Sequence, residues 1–130
     1  MKKIMVFGAF DILHKGHKYF LKKAKEKGDF LVVVVGRDMI IKKTKGEFPI
    51  ENEELRAKNL KGYADKVIMG DSKDFYKVIH EERPDLICLG YDQKAFVDGL
   101  KNMNVEIERL EPFKEHKYKS SIIKNLPKNE

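Results

Sequence analysis

The chain has 130 residues, 42% apolar and 37% charged, with a formal net charge of +6 carried almost wholly by lysine. That composition excludes a disordered chain and fits one domain with a single core, residues 1–130. The basic balance suits phosphates, nucleotides, nucleic acid or acidic membrane without choosing among them, and the one cysteine, Cys88, excludes an internal disulfide and fits a reducing compartment.

The N-terminal apolar run ends at Asp11 and no small-residue cleavage site follows, so no secretory leader is expected. The longest apolar stretch, FLVVVV, is too short to span a bilayer, and the chain is expected to be cytoplasmic. Residues 3–7 and 30–35 read as strands buried on both faces. Between them HKYFLKKAKEKG places Phe20, Leu21 and Ala24 on one helical face, with Gly28 as its stop. Residues 42–49 are polar and lysine-rich and read as a loop. IENEELRAKNLKGY reads as a helix ended by Gly62, and KVIMG as a strand. SKDFYKVIHEERP reads as a helix capped by Asp71 or Ser72, with Phe75, Val78 and Ile79 as its apolar stripe. DLICLG is a further buried strand and places Cys88 in the core. Residues 96–103 are expected to be helical, 105–110 an alternating strand, and 119–126 a last short helix.

Strands alternating with helices predict a single Rossmann-like, doubly wound α/β domain with a mostly parallel five-stranded sheet. Ligands of such sheets bind beyond the C-terminal strand ends. Four of the five ends open with glycine and soon reach aspartate: Gly8–Asp11, Gly36–Asp38, Gly70–Asp71 and Gly90–Asp92. Glycine admits a ligand to the backbone, and aspartate can bind a hydroxyl or a metal ion.

The first of these ends continues as GAFDILHKGH. His14 falls in the loop and His17 in the first helical turn, so both can face one spot at a helix N-terminus. Free N–H groups and the helix dipole favour phosphate there, and two imidazoles could donate to phosphoryl oxygens. Gly16 lets the backbone come close. Polar loop surface and a pair of metal ligands are the competing readings, although His80 and His116 have no companions at metal-ligand spacing. Near the C-terminus, YKSSIIK puts Ser120 and Ser121 at a helix start. Serines cap helices in any protein, and they could equally cradle the far phosphates of a nucleoside triphosphate. Lys43 and Lys45 could clamp the same anion or form an ordinary solvated loop.

GAFDILHKGH resembles the HxGH signature of the cytidylyltransferase-like nucleotidyltransferases, and YKSSII resembles their second signature, in the same order along the chain. The resemblance implies transfer of a nucleoside monophosphate from a triphosphate to a phosphorylated small molecule, with pyrophosphate leaving. It implies catalytic roles for His14, His17 and Lys43. It implies nucleotide contacts from Gly8, Ala9, Phe10, Gly16, Lys45, Gly90, Asp92, Lys114, Tyr118, Ser120 and Ser121, and acceptor contacts from Asp11, Asp38 and Arg56. No residue is assigned as a metal ligand; Mg²⁺ or another divalent cation would come with ATP or CTP. Lys114 stands where glycerol-phosphate cytidylyltransferases carry an arginine, and Gly62 where they carry another. PDLICLGYDQ is similar to the archaeal-type FAD synthetases, which adenylylate FMN. The resemblance therefore points first to ATP with FMN, and second to CTP with glycerol phosphate. A nucleotide-binding module without turnover is the non-enzyme alternative. Neither a specific nucleic acid nor a membrane is expected as partner, and a homodimer is expected by analogy.

Overall fold

In the computed structural model, which describes residues 1–94 and 96–113, the elements run β1(Lys3–Gly8), α1(Lys15–Glu26), β2(Phe30–Val35), α2(Asp38–Lys45), α3(Glu53–Asn59), β3(Lys66–Met69), α4(Lys77–Glu82), β4(Leu86–Leu89), α5(Val97–Leu100) and β5(Glu106–Arg109). The strands form one five-stranded sheet in the order β3-β2-β1-β4-β5. Every pairing is parallel, with Val6 opposite Val33 and Cys88, and Val33 opposite Val67.

The unbroken apolar runs of the central strands follow from burial on both faces. Ile4, Val6, Leu31, Val33, Val35, Leu86 and Cys88 pack with Leu21 and Ala24 of α1 and with Leu60, just after α3. Their alternates Met5, Phe7, Val32, Val34, Ile87 and Leu89 pack with Val78 and Ile79 of α4 and Leu100 of α5. Cys88 is fully buried, and burial pushes its thiol up to about 11, so it is an inert core side chain.

Three local expectations need correction. The loop expected over 42–49 is helical as far as Lys45: lysine is a good helix former, and Gly46 closes the helix at φ 91° by donating to the Lys42 carbonyl. The helix expected from residue 50 begins only at Glu53: Leu55 N–H, which a longer helix would give to the Glu51 carbonyl, donates to the Asn52 cap, and that carbonyl accepts from the Arg56 side chain. The helix expected from residue 72 begins at Lys77. Asp71 accepts from Lys73 and Asp74, and Asp74 from Tyr76, so local turns take the N–H groups first. The first helix ends just before Gly28 as expected, with Lys27 as its C-cap and no positive φ at the glycine. The Gly28 Cα lies so close to β1 that a Cβ there would come 2.7 Å from the Lys2 carbonyl oxygen and 2.8 Å from Ile4. The helix expected over 119–126 lies outside the described residues.

Candidate active site

The order of strands reverses between β1 and β4, so the crevice beyond their C-terminal ends is the natural ligand position of this fold. The loop Gly8–His14 leaves β1 there with two non-glycine residues in the left-handed region, Phe10 and Ile12, both at φ 51°. A β-branched residue at positive φ is an outlier that the surroundings must impose.

The anchors come from the segment before α3. The Asp11 carboxylate accepts from Ile50 N–H at 2.7 Å and Glu51 N–H at 2.9 Å, and Ile12 N–H donates to Glu51 Oε1 at 3.0 Å. Arg56 is fully buried. Its guanidinium donates to the Glu51 carbonyl at 2.9 Å, to the Ala9 carbonyl at 2.9 Å and to Asp38 at 2.5 Å. Desolvation opposes ionisation of Asp11, but the two backbone donors, then Arg56 and His17, outweigh it and hold the carboxyl below its usual range.

His14 is the N-cap of α1. Its Nδ1 accepts from Gly16 N–H at 3.0 Å, while His17 Nδ1 accepts from His14 N–H at 3.2 Å, making a reciprocal capping box from two imidazoles. A Cβ on residue 16 would come 3.0 Å from the His14 ring, and one on residue 8 would come 2.7 Å from the Phe10 ring, so both loop glycines make room for aromatic side chains. The histidine rings stack at 3.8 Å, and Phe10 meets His17 edge-on at 5.5 Å. A ring nitrogen that accepts a backbone N–H carries no proton, so each neutral imidazole holds its proton on Nε2, leaving two N–H donors side by side. Burial first, then His14, lower the His17 pKa to about 4; Asp11 pulls the other way, and Lys45 adds the smallest lowering influence. His17 is therefore a neutral donor at pH 7.

The influence of Lys45 on His17 places the last turn of α2, with Lys43 and Lys45 both exposed, on the side of the site beyond β2. The head of α2 is joined to that of α3: Asp38 N–H donates to Glu53 Oε1 at 2.8 Å, and Glu53 N–H to Asp38 Oδ2 at 3.2 Å. Beyond β4, Gln93 bridges two strand ends, accepting from Gly90 N–H at 3.2 Å and donating to the Phe7 carbonyl at 3.3 Å. Arg109 donates to the Gly90 carbonyl at 2.7 Å and the Gln93 carbonyl at 2.9 Å. Asp92, on the tip of this loop, is exposed and makes no bond to another described residue.

The structure thus brings Gly8, Ala9, Phe10, Gly16, His14 and His17 together and sets Lys45 beside them. Arg56, Asp11 and Asp38, expected as acceptor contacts, direct their polar atoms at the protein itself. Lys114, Tyr118, Ser120 and Ser121 lie outside the described residues. Sequence reasoning assigned no role to Glu51, Glu53, Gln93 and Arg109; the signals were ENEELR, a glutamate-rich helix start like the family's, for the first two and LGYDQ for Gln93, with none for Arg109. No group of three or more His, Cys, Asp or Glu side chains able to hold a metal occurs among the described residues.

A parallel α/β sheet carrying two imidazoles at a helix N-terminus, both with Nδ1 engaged by backbone N–H groups, is the class of fold and site that handles nucleotide phosphates. The cytidylyltransferase-like family model matches residues 5–126. A FAD synthase of Aciduliprofundum boonei is 46% identical over 97 residues, 72% of this chain and 64% of that protein. One of Thermococcus sibiricus is 40% identical over 134 residues, 95% of this chain and 88% of that protein. The solved lipopolysaccharide core biosynthesis protein from Thermoplasma volcanium superposes with a TM-score of 0.79 at 38% identity, over 87% of this chain and 98% of that one. The chain belongs to the cytidylyltransferase-like family, and it is a nucleotidyltransferase. No helix among the described residues is long and apolar enough to cross a membrane.

Proposed function

We propose that the chain transfers AMP from ATP to FMN, forming FAD and pyrophosphate. The observation that carries the chemistry is the stacked His14–His17 pair with both Nδ1 atoms engaged by backbone N–H groups. The similarity to FAD synthases over most of the chain carries the choice of substrates. An FMN phosphate oxygen attacks the α-phosphorus in line, the new P–O bond forms, the bond to the β-phosphate oxygen breaks, and pyrophosphate leaves with that electron pair. A phosphate monoester dianion needs no general base. The chain's task is to position two anions and stabilise charge that builds on the α-phosphoryl oxygens.

His14 and His17 donate to those oxygens, and a preorganised donor of this kind contributes about 10²–10³ in rate. Lys43 and Lys45 draw the phosphates together from the α2 side. Gly8, Ala9, Phe10 and Gly16 bring backbone against the nucleotide, Gly90 and Asp92 bound it beyond β4, and Lys114, Tyr118, Ser120 and Ser121 complete the triphosphate site. Asp11, Asp38 and Arg56 act through the loops they hold, since their polar atoms face protein partners. In this reading a Mg²⁺ ion would come with the triphosphate, and Asp92, exposed beyond β4, would be a carboxylate able to meet it. Bound there, the ion would supply charge neutralisation for the pyrophosphate leaving group. In this reading the enzyme is cytoplasmic and a homodimer.

Flavin fluorescence tests the reaction: mixing with FMN, ATP and Mg²⁺ should quench it as FAD stacks on its own adenine, and CTP should not. Unchanged fluorescence with folded protein sinks the FMN reading. Pyrophosphate release with CTP and glycerol phosphate would then carry the second assignment.

A further inference from the structure

We infer that Glu51, which lies 34 positions along the chain from His17, is the positioning residue that holds the histidine-pair loop in its reactive shape. The inference rests on the phosphoryl-transfer role given above to His14 and His17. Glu51 commits two of its polar groups to that loop and the third to Arg56, which holds the loop in turn. Its N–H donates to Asp11 Oδ1 at 2.9 Å, its Oε1 accepts from Ile12 N–H at 3.0 Å, and its carbonyl accepts from Arg56, which also holds the Ala9 carbonyl. The first two bonds form a closed exchange between Asp11–Ile12 and Glu51, much as a capping box closes a helix end.

The exchange falls where the backbone needs it. Ile12 sits at φ 51°, a conformation that a β-branched residue leaves unless held. Asp11 reaches only backbone N–H groups of the 50–51 segment, so Glu51 supplies the side chain that fixes Ile12 itself. His14 follows two residues later. With Cα atoms about 3.8 Å apart, a rotation of about 10° at Ile12 moves His14 by roughly 1 Å. A misplacement of that size costs on the order of 10²-fold in rate when catalysis is positioning. Glu51 touches neither imidazole, so its effect runs through the loop alone. Asn59 Nδ2, 3.5 Å from the same Oε1, steadies the carboxylate from α3.

The test compares Glu51→Ala and Glu51→Gln in the full chain, by steady-state FAD formation and by ring-nitrogen NMR of the histidines without substrate. Glu51→Ala should lower kcat by about 30- to 100-fold, with KM for ATP within about twofold, because the loss is of geometry and not of binding. Glu51→Gln keeps a carbonyl oxygen for Ile12 N–H and should recover most of that loss. In the spectra, wild type and Glu51→Gln should show protons on Nε2 of both rings, and Glu51→Ala should lose this uniform pattern. If Glu51→Ala fails to fold, Glu51→Asp replaces it, one methylene too short to reach Ile12. A Glu51→Ala enzyme with wild-type kcat overturns the inference. So does an equal loss in Ala and Gln variants that tracks only their melting temperatures. Should the wild type make no FAD, the spectra decide alone: an unchanged ring-nitrogen pattern in Glu51→Ala overturns the positioning role, and an altered one sustains it under a different acceptor.

Discussion

At the N-terminal end of the sheet, three aspartates each close a strand start with the same pair of bonds. Asp29 accepts from Lys2 N–H at 2.7 Å and donates to the Lys2 carbonyl at 2.8 Å; Asp85 does the same with Lys3 at 2.7 and 2.8 Å, and Asp65 with Leu31 at 2.8 and 3.0 Å. Lysines complete this end: Lys25 on Asp65, Lys3 and Lys66 on Glu82, and Lys27 on Glu108. At the C-terminal end the aspartates do different work. Asp11 reaches across to residues 50–51 and Asp38 to Arg56 and Glu53, holding loops that run through positive φ and end on neutral histidines. One end satisfies its polar groups locally between neighbouring strands. The other is shaped from outside, with both histidine Nδ1 atoms engaged by backbone N–H groups and Asp92 exposed. Aspartate at a strand end is thus no sign of function; what holds it, and what that leaves exposed, is.

The largest effect that would sharpen this contrast lies at the histidine pair. His14→Asn keeps a good N-cap, so melting should hold, while kcat for FAD formation should drop by on the order of 10²–10³. Full activity in that variant would break the assignment of the upper end as the catalytic one. Next comes Arg56→Met. Removing a fully buried cation with two carbonyl acceptors and an Asp38 partner should cost about 3 kcal/mol in urea unfolding. A pair of glycine substitutions then sets one end against the other. Gly28→Ala crowds the Lys2 carbonyl and should cost about 1–3 kcal/mol with kcat unchanged. Gly8→Ala displaces the Phe10 ring that packs on His17, and should lower kcat more than stability.

Acid should separate the two ends by pH. With the folded pKa of His17 about 4 against an unfolded 6.5, the unfolded chain binds more protons between these values, so stability falls as pH drops from 6.5 towards 4. The carboxyls held below their usual range (Asp65 chiefly by Lys25, Glu82 chiefly by Lys66) lose their stabilising contribution only below the ordinary carboxylate range, near pH 4 and under. Urea midpoints at several pH values should therefore slope between pH 6.5 and 4.5 in wild type and flatten in His17→Gln. The smallest effect is expected for Lys27→Ala, whose exposed pair with Glu108 should leave both the urea midpoint and kcat unchanged.

Much of this was legible along the chain. The strands show as apolar runs because burial on both faces leaves no polar register, and the histidines show because strand, glycine and paired imidazoles fall within ten residues. The head of α3 misleads because Asn52 and Glu53 look like the interior of one longer helix. Only the folded chain shows Leu55 N–H turned to the Asn52 side chain and the Glu51 carbonyl taken by Arg56, the two groups that a longer helix would have joined. Arg56 looks like a ligand contact for a similar reason: guanidinium suits phosphate, and nothing nearby in sequence reveals the carbonyls of Ala9 and Glu51 that surround it. By itself, then, the sequence determined the α/β order, the core strands and the paired histidines at a helix start, since periodicity and helix-start chemistry are local. The tertiary structure alone decided which charged residues hold loops and which stay exposed, because that depends on partners 15 to 47 residues away, brought together only when the sheet closes its core.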